Sequence, residues 1–378
     1  MAQKNFEPEL SLIAPAELSA ALLSSSPPLI LEATTCGTAP PRCVPGAVLF
    51  DLAEIDVYEE DAHGEPHRVS GNYSLKPDAA VRAALEAAGV RFDRRAVVYT
   101  QCTKLDTADL AVAARLAWTL CVAGVQHVSL LAGGLPAWLA AGLAPAEAHA
   151  ARAPDAAGFF GGAAGLRFPL CPHLRATTEE VEAAVAAGGG STAGAAAGAA
   201  VAGAAAAAAS VQLADVRSWR EYSGEGHDYP YHVPLGRIPT AVWAHWGPGT
   251  YVGGDFYSTA TGALRPLEGT AALWRAWGLR LGDETSATRL LFYCGSGWRA
   301  ALGWCLARLL GHTRCASYDG SILEWAVFSP RAAAHRLEVG WHDAESAPAG
   351  VCACCQPHPR PSMPRPSACV ECVPVGTA

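Results

Sequence analysis

The sequence has little that would take it to a membrane or to nucleic acid. No apolar stretch reaches the roughly 18 residues of a bilayer span, and the longest run, AAGAAVAGAAAAAA, is alanine and glycine without leucine. Basic residues are outnumbered, 27 Lys and Arg against 35 Asp and Glu. The resulting formal charge of −8 excludes a broad polyanion-binding face while leaving room for a local basic pocket. Charge is sparse at 16%, yet 51% of the 378 residues are hydrophobic, which excludes a disordered chain and suffices for two globular cores. The N-terminal MAQKNFEPELSLIAPAELSA lacks the basic start and apolar core of a secretory signal and the Arg/Ser-rich character of a transit peptide, so a cytoplasmic location is expected. Thirteen cysteines, odd in number and scattered, do not form the framework of a small secreted scaffold; reduced thiols with specific tasks fit better.

What is present is internal repetition. VPGAVLFDL (44–52) is echoed by IPTAVWAHW (238–246), and AVVYT (96–100) by LLFYC (290–294). Pro45 to Tyr99 is 54 positions, as is Pro239 to Tyr293. LLAGGLPAW, ending at Trp138, is echoed by SYDGSILEW, ending at Trp325, with spacings from the tyrosine of 39 and 32. The difference, about two helical turns, implies extra chain after the first apolar run. Short Val/Ile/Leu runs alternate with 3.6-period stretches such as DAAVRAALEAAGV and ATTEEVEAAVAAG, the latter with Thr178 as its N-cap. That alternation predicts an α/β fold in two units, each a mostly parallel sheet flanked by helices. The expected boundaries are 8–150, a proline-dotted linker over 151–171, and 172–335 with a flexible Ala/Gly-rich insertion at 186–210. A Cys/Pro-rich tail occupies 336–378.

The chemistry concentrates in LLFYCGSGWRAALGWCLARLLG, 290–311. A cysteine at the end of a buried strand, two glycines within three residues and an immediate helix place successive backbone N–H groups around one spot. Such donors favour negative charge and can hold an anion or a second sulfur against the Cys294 thiol. Gly295 and Gly297 allow the backbone angles a cradle needs. Arg299 offers a fixed cation able to grip an oxyanion through two hydrogen bonds, and Ser296 a hydroxyl.

At these residues the sequence resembles the rhodanese sulfurtransferases. LADVRSWREYSGE, GRIPTAVW, FYCGSGWRA and YDGSILEWA follow the family's order in the second unit, and VPGAV with LLAGGLPAW in the first. The likeness is greatest to bacterial multi-rhodanese enzymes with a Cys-Gly-Thr-Gly-Trp-Arg loop, and it covers about residues 28–145 and 172–328. It implies two rhodanese-like domains, the first inactive because Thr100 stands where Cys294 stands in the second. It also implies catalysis through a persulfide on Cys294, fed by a small-molecule sulfur donor and emptied onto cyanide or a thiol such as thioredoxin or glutathione. Gly295, Gly297, Trp298 and Arg237 would contact substrate, and no cofactor, nucleic acid or membrane is required.

Cys-Gly-Ser-Gly also occurs in mercaptopyruvate sulfurtransferases. There the serine works in a relay with a histidine and an aspartate; here His63 lies near the histidine position, but Ala53 replaces the aspartate, and Ser223 stands in place of a substrate-binding arginine. Thiosulfate is the preferred donor, with 3-mercaptopyruvate, or a non-enzymatic sulfur carrier or scaffold, as alternatives. A cysteine phosphatase is disfavoured by a loop one residue shorter than theirs.

Other residues have plainer readings. Cys102 lacks a glycine cradle; Cys121, Cys171 and Cys305 read as core. Asp215 and Arg217 read as an ion pair at a strand end. Trp243, Trp246, Tyr229 and Tyr231 either line the pocket or belong to the core. In the tail, Cys352, Cys354, Cys355, Cys369 and Cys372 form a Cys-x-Cys-Cys and a Cys-x-x-Cys. Cys352, Cys354, Cys369 and Cys372 could hold zinc tetrahedrally, or the tail could serve redox or sulfur-relay chemistry.

Overall fold

The computed structural model describes residues 6–35, 39–57, 74–101, 107–188, 210–227, 233–244, 246, 264, 266–282 and 286–340. In the first half the order is β1 (Glu9–Ile13), α1 (Pro15–Leu22), β2 (Leu29–Thr34), β3 (Ala47–Asp51), α2 (Asp78–Ala87), β4 (Ala96–Tyr99), α3 (Thr107–Ala123), β5 (His127–Leu131) and α4 (Gly134–Ala140). The second half continues with β6 (Arg175–Ala176), α5 (Thr178–Gly188), β7 (Val211–Asp215), α6 (Trp219–Ser223), β8 (Val242–Trp243), α7 (Leu267–Ala276), β9 (Arg289–Tyr293), α8 (Trp298–Leu309) and β10 (Cys315–Tyr318). The strands form two five-stranded sheets, ordered β1-β5-β4-β2-β3 and β6-β10-β9-β7-β8, with every pairing parallel. The two orders are the same once the strands of the second sheet are counted from β6. Central strands such as AVVY in β4 and the LLFY of β9 are buried throughout, as parallel strands covered by helices on both faces must be.

The matched spacing in the sequence has a physical cause in the sheets. The Val44 N–H donates to the Tyr99 hydroxyl at 3.0 Å, and the Ile238 N–H to the Tyr293 hydroxyl at 3.1 Å. Each tyrosine, buried at the end of its strand, satisfies the backbone donor just before the proline that leads into the sheet's edge strand, so both halves keep the same tie between the two ends of the repeat. The seven-residue difference downstream also has a place: α3 has 17 residues where α8 has 12, and a longer lead-in precedes it.

The halves share one core. α3 and α8 lie side by side, with the Cys305 thiol 3.7 Å from the Ala114 carbonyl and Ala113, Ala114, Ala117, Ala300, Ala301 and Trp304 all buried. Small residues on both helices allow the close approach. α8 in turn lies tight on its sheet: a Cβ at Gly303 would sit 2.8 Å from the Val216 side chain and 2.9 Å from the Phe292 ring. No helix among the described residues is long and apolar enough to cross a membrane.

Two expectations change. The cap of α5 is Thr177, whose hydroxyl accepts the Glu180 N–H while Glu180 accepts the Thr177 N–H; Thr178 instead meets the Tyr318 hydroxyl. The reciprocal box satisfies two end groups where a Thr178 cap would satisfy one. Within 151–171, the expected linker, Phe159 and Phe160 are buried, with edge-to-face contacts to Phe168 and Phe92. α5 takes residues 186–188 from the expected insertion, and 189–209 lie outside the described residues.

Candidate active site

β9 delivers Cys294 to the carboxyl edge of the second sheet, the edge where ligands bind in open parallel sheets. The next four residues turn the chain into α8, whose N-cap, Gly297, has φ +96°. A side chain there would place its Cβ 2.2 Å from the Asp319 carbonyl oxygen, so glycine is required both by conformation and by space. With the loop so turned, the Gly297 N–H points at the Cys294 sulfur, 3.1 Å away. This is one backbone donor at the sulfur, where the motif predicts several. Gly295 does not share the left-handed angle.

The turn after β10 supports the loop from below. The Ile322 and Leu323 N–H groups donate to the carbonyls of Cys294 and Gly295, at 3.1 and 3.2 Å. Ser321 adopts φ +52°, uncommon for a residue with a side chain. That conformation lets its hydroxyl accept the Cys294 N–H at 3.0 Å and donate to the Tyr318 carbonyl at 2.8 Å, with the Cys294 sulfur 4.0 Å off. The one hydroxyl proton cannot serve Tyr318 and the thiol together; turning it toward sulfur would release the Tyr318 carbonyl. Ser321 was missed in the sequence, where SYDGSILEW was read as a repeat marker. Its counterpart in LLAGGLPAW is Gly134, also left-handed at φ +57°, a conformation that the sequence does not display.

Arg299 is placed differently from the expectation. Its two terminal nitrogens are held by Glu221, Nη1 to Oε2 at 2.9 Å and Nη2 to Oε1 at 2.8 Å, with both side chains buried. The fork expected to grip an external oxyanion is thus engaged within the chain. Glu221 is fixed in turn by α6, where the Ser218 N–H and hydroxyl both donate to Oε2. Burial alone would push the Glu221 carboxyl up, but the Arg299 charge and hydrogen bonds outweigh it and bring it down to about 2.

Arg237, expected to add charge to the cleft, is also buried and engaged elsewhere. Its backbone bridges Glu338, its side chain reaches the Glu338 carboxylate at 3.3 Å and the Gly340 carbonyl at 2.8 Å, and it lies over the Tyr222 ring. Ser296 is half-buried and makes no side-chain hydrogen bond among the described residues. Trp298, at the first turn of α8, donates its indole N–H to Asp56 of the first half at 2.9 Å. Asp56 is also the partner of Arg115, a wholly buried arginine of α3. Burial pushes Asp56 up to about 6 despite that neighbour. A single arginine inside the apolar stretch ADLAVAARLAWTLCVAG was the overlooked signal, since a buried guanidinium demands carboxylate partners.

The plainer readings fall into place. Asp215 and Arg217 form a buried ion pair at the end of β7, and Trp243 and Trp246 are core. Cys121, Cys171 and Cys305 are buried thiols raised by burial. Thr100 follows β4 as Cys294 follows β9, and its carbonyl takes the Leu135 N–H as that of Cys294 takes the Ile322 N–H. His63, Cys102, Tyr229, Tyr231 and the tail cysteines Cys352, Cys354, Cys355, Cys369 and Cys372 lie outside the described residues.

A cysteine after a parallel strand, met by a backbone N–H at a helix start, defines an α/β protein with a thiol-centred loop. Residues 199–327, which contain that loop, match the Rhodanese family, the rhodanese-like domain. Over those residues the chain carries a rhodanese-like domain. The chain is 29% identical over 285 residues to the thiosulfate sulfurtransferase YnjE of Escherichia coli, a match covering 75% of this chain and 53% of that protein. The chain thus spans about half the length of this curated relative. Among solved structures, YnjE superposes with a TM-score of 0.67 at 24% identity, covering 89% of this chain and 70% of that one. An anaerobic ergothioneine biosynthesis enzyme from Chlorobium limicola, in complex with trimethyl histidine, superposes with a TM-score of 0.68 at 22% identity, covering 88% and 70%.

Proposed function

We propose that the protein is a sulfurtransferase that carries sulfane sulfur as a persulfide on Cys294, with thiosulfate as the donor. The observation that carries this reading is the Gly297 N–H aimed at the Cys294 sulfur from a loop whose carbonyls are locked by the Ser321 turn. In the proposed reaction the Cys294 thiolate attacks the outer sulfur of thiosulfate. The S–S bond to the sulfonate sulfur breaks and its electron pair leaves with sulfite, so the persulfide forms without an external oxidant. An acceptor nucleophile, cyanide or a thiol, then takes the outer sulfur and restores the thiolate. Backbone N–H groups of the 294–299 loop and the N-terminus of α8 stabilise the negative charge on the transferred sulfur.

The engagement of Arg299 by Glu221 shifts donor binding toward these backbone groups and gives the arginine the task of holding the loop's exit. In this proposal the first half is a rhodanese-like domain without a nucleophile, and the reaction needs no cofactor. The sulfur acceptor is a small thiol or a protein thiol. The matches to a thiosulfate sulfurtransferase and to an ergothioneine biosynthesis enzyme support sulfur chemistry on this fold and leave 3-mercaptopyruvate as the second donor to assay. The test is sulfur transfer to cyanide with thiosulfate or 3-mercaptopyruvate as donor, using Cys294→Ser as control. Thiocyanate formation from thiosulfate that is abolished by the substitution is expected; equal turnover by Cys294→Ser would overturn the assignment.

A further inference from the structure

The loop that presents Cys294 belongs to the second half, yet its two supports converge on one arginine of the first. Arg115 of α3 donates from Nε to both Asp56 oxygens at 3.2 and 3.1 Å and from Nη2 to Oδ1 at 2.7 Å, and its Nη1 reaches Asp319 across the junction. Asp319 belongs to the turn whose carbonyl lies against Gly297, and its other oxygen accepts the Leu75 N–H of the first half at 2.8 Å. Asp56 accepts the Trp298 indole N–H, the only polar donor of that side chain. Trp298 adjoins Gly297, the residue that contacts the sulfur. The loop is therefore pinned at its exit by Trp298 and backed by the turn that carries Asp319, and Asp56 and Asp319 both meet Arg115.

We propose that Trp298 and Asp56 are positioning residues that hold the Cys294 loop in its sulfur-accepting geometry from the neighbouring half, rather than contacts to the donor. The mechanism is geometric. A half-buried indole whose N–H is committed to a buried carboxylate fixes the first turn of α8, and with it the direction of the Gly297 N–H. The proposal explains what a half without a nucleophile supplies to the site. It rests on the sulfurtransferase reading for its turnover assay, and on no reading for its alkylation assay.

The experiment compares the full chain with Trp298→Phe, which removes the donor and keeps a ring, with Asp56→Ala, and with the double variant. Two rates are followed: single-turnover sulfur uptake from thiosulfate, and alkylation of Cys294 by iodoacetamide, located by peptide mass spectrometry. Cys294 is 2% exposed, so its alkylation depends on loop opening. Trp298→Phe is expected to slow sulfur uptake about 10-fold and to speed alkylation about 5-fold, with the donor KM changed less than about 2-fold and the Tm moved by no more than about 3 °C. The double variant should match Asp56→Ala, because Asp56→Ala already breaks the link that Trp298→Phe breaks, together with the Arg115 pair. A raised KM with unchanged alkylation would make Trp298 a donor contact and overturn the proposal, as would effects that multiply in the double variant. If Asp56→Ala fails to fold, Trp298→Phe decides alone. If wild type takes no sulfur from thiosulfate, that donor assignment fails while the alkylation rates still test the positioning role.

Discussion

Glu221→Gln changes no more than an oxygen to an amide nitrogen, yet the structure predicts a large effect. The carboxylate Oε2 receives the Ser218 N–H, the Ser218 hydroxyl and Arg299 Nη1, while Oε1 receives Arg299 Nη2. A glutamine side chain has one acceptor oxygen. Whichever way it turns, its amide hydrogens face a donor, and buried Arg299 loses the Glu221 charge. Removing one partner of a buried ion pair costs about 3–5 kcal/mol, and the retained oxygen argues for the lower end, about 3 kcal/mol. For a cooperative unit of 150–250 residues each kcal/mol moves the Tm by about 2–4 °C, so a loss of about 6–12 °C is expected at pH 7 by calorimetry. The pH dependence tests the cause. The carboxyl lies at about 2 in the folded protein against an ordinary 4.5, a depressed value, so its contribution is complete above 4.5 and is lost as pH falls toward 2. At about 1.4 kcal/mol per pH unit, about 2 kcal/mol of the wild-type advantage should be gone by pH 3, shrinking the gap between the two proteins to about a third. A gap below 2 °C at pH 7, or one unchanged between pH 7 and pH 3, would refute the reasoning.

Two further substitutions probe the loop itself. Gly297→Ala forces a Cβ toward the Asp319 carbonyl and penalises φ +96°, so the Gly297 N–H must leave the sulfur. Cyanide-coupled turnover should fall by about 100-fold, and retention of more than a third of it would show the contact to be dispensable. Ser321→Ala removes the acceptor for the buried Cys294 N–H, at a cost of about 1–3 kcal/mol in stability by denaturant titration. A variant as stable as wild type would mean that another group satisfies that N–H.

How much of this was legible beforehand depends on whether the signal was local. The two parallel sheets, the place of Cys294 at a strand end and the Gly297 turn followed from apolar periodicity and from glycines beside a thiol, features contained in a dozen residues. The paired spacing of Pro45 to Tyr99 and Pro239 to Tyr293 was visible as a number, though its cause, a tyrosine hydroxyl serving a distant backbone N–H, was not. The partners of charged residues were illegible because they are set by packing. Arg299 lies 78 positions from Glu221, and Trp298 lies 242 from Asp56. A motif names the cation at the loop's end; only the fold reveals that a carboxylate already occupies it. The same holds for Ser321, which a repeat alignment presents as the equivalent of a glycine and which the turn makes a support of the nucleophile.

The comparison of the two strand ends carries the argument one step further. Both halves keep the tyrosine hydroxyl that accepts the N–H leading into the edge strand, and both keep the hydrogen bond from the downstream turn to the carbonyl at the strand end. The frame at the strand end is therefore shared, and beside the longer loop and helix of the first half two differences bear on the thiol: Thr100 for Cys294, and Gly134 for Ser321. A thiol alone would leave its own N–H buried beneath the turn, and Ser321 supplies an acceptor for it while staying within reach of the sulfur. The cost is a left-handed conformation on a residue with a side chain, about 1–2 kcal/mol, which the ties of Ile322 and Leu323 to the loop carbonyls hold in place. Nucleophile and supporting hydroxyl thus stand as a pair on a frame built to keep the loop rigid, and the half that lacks the pair contributes the arginine on which that rigidity ends.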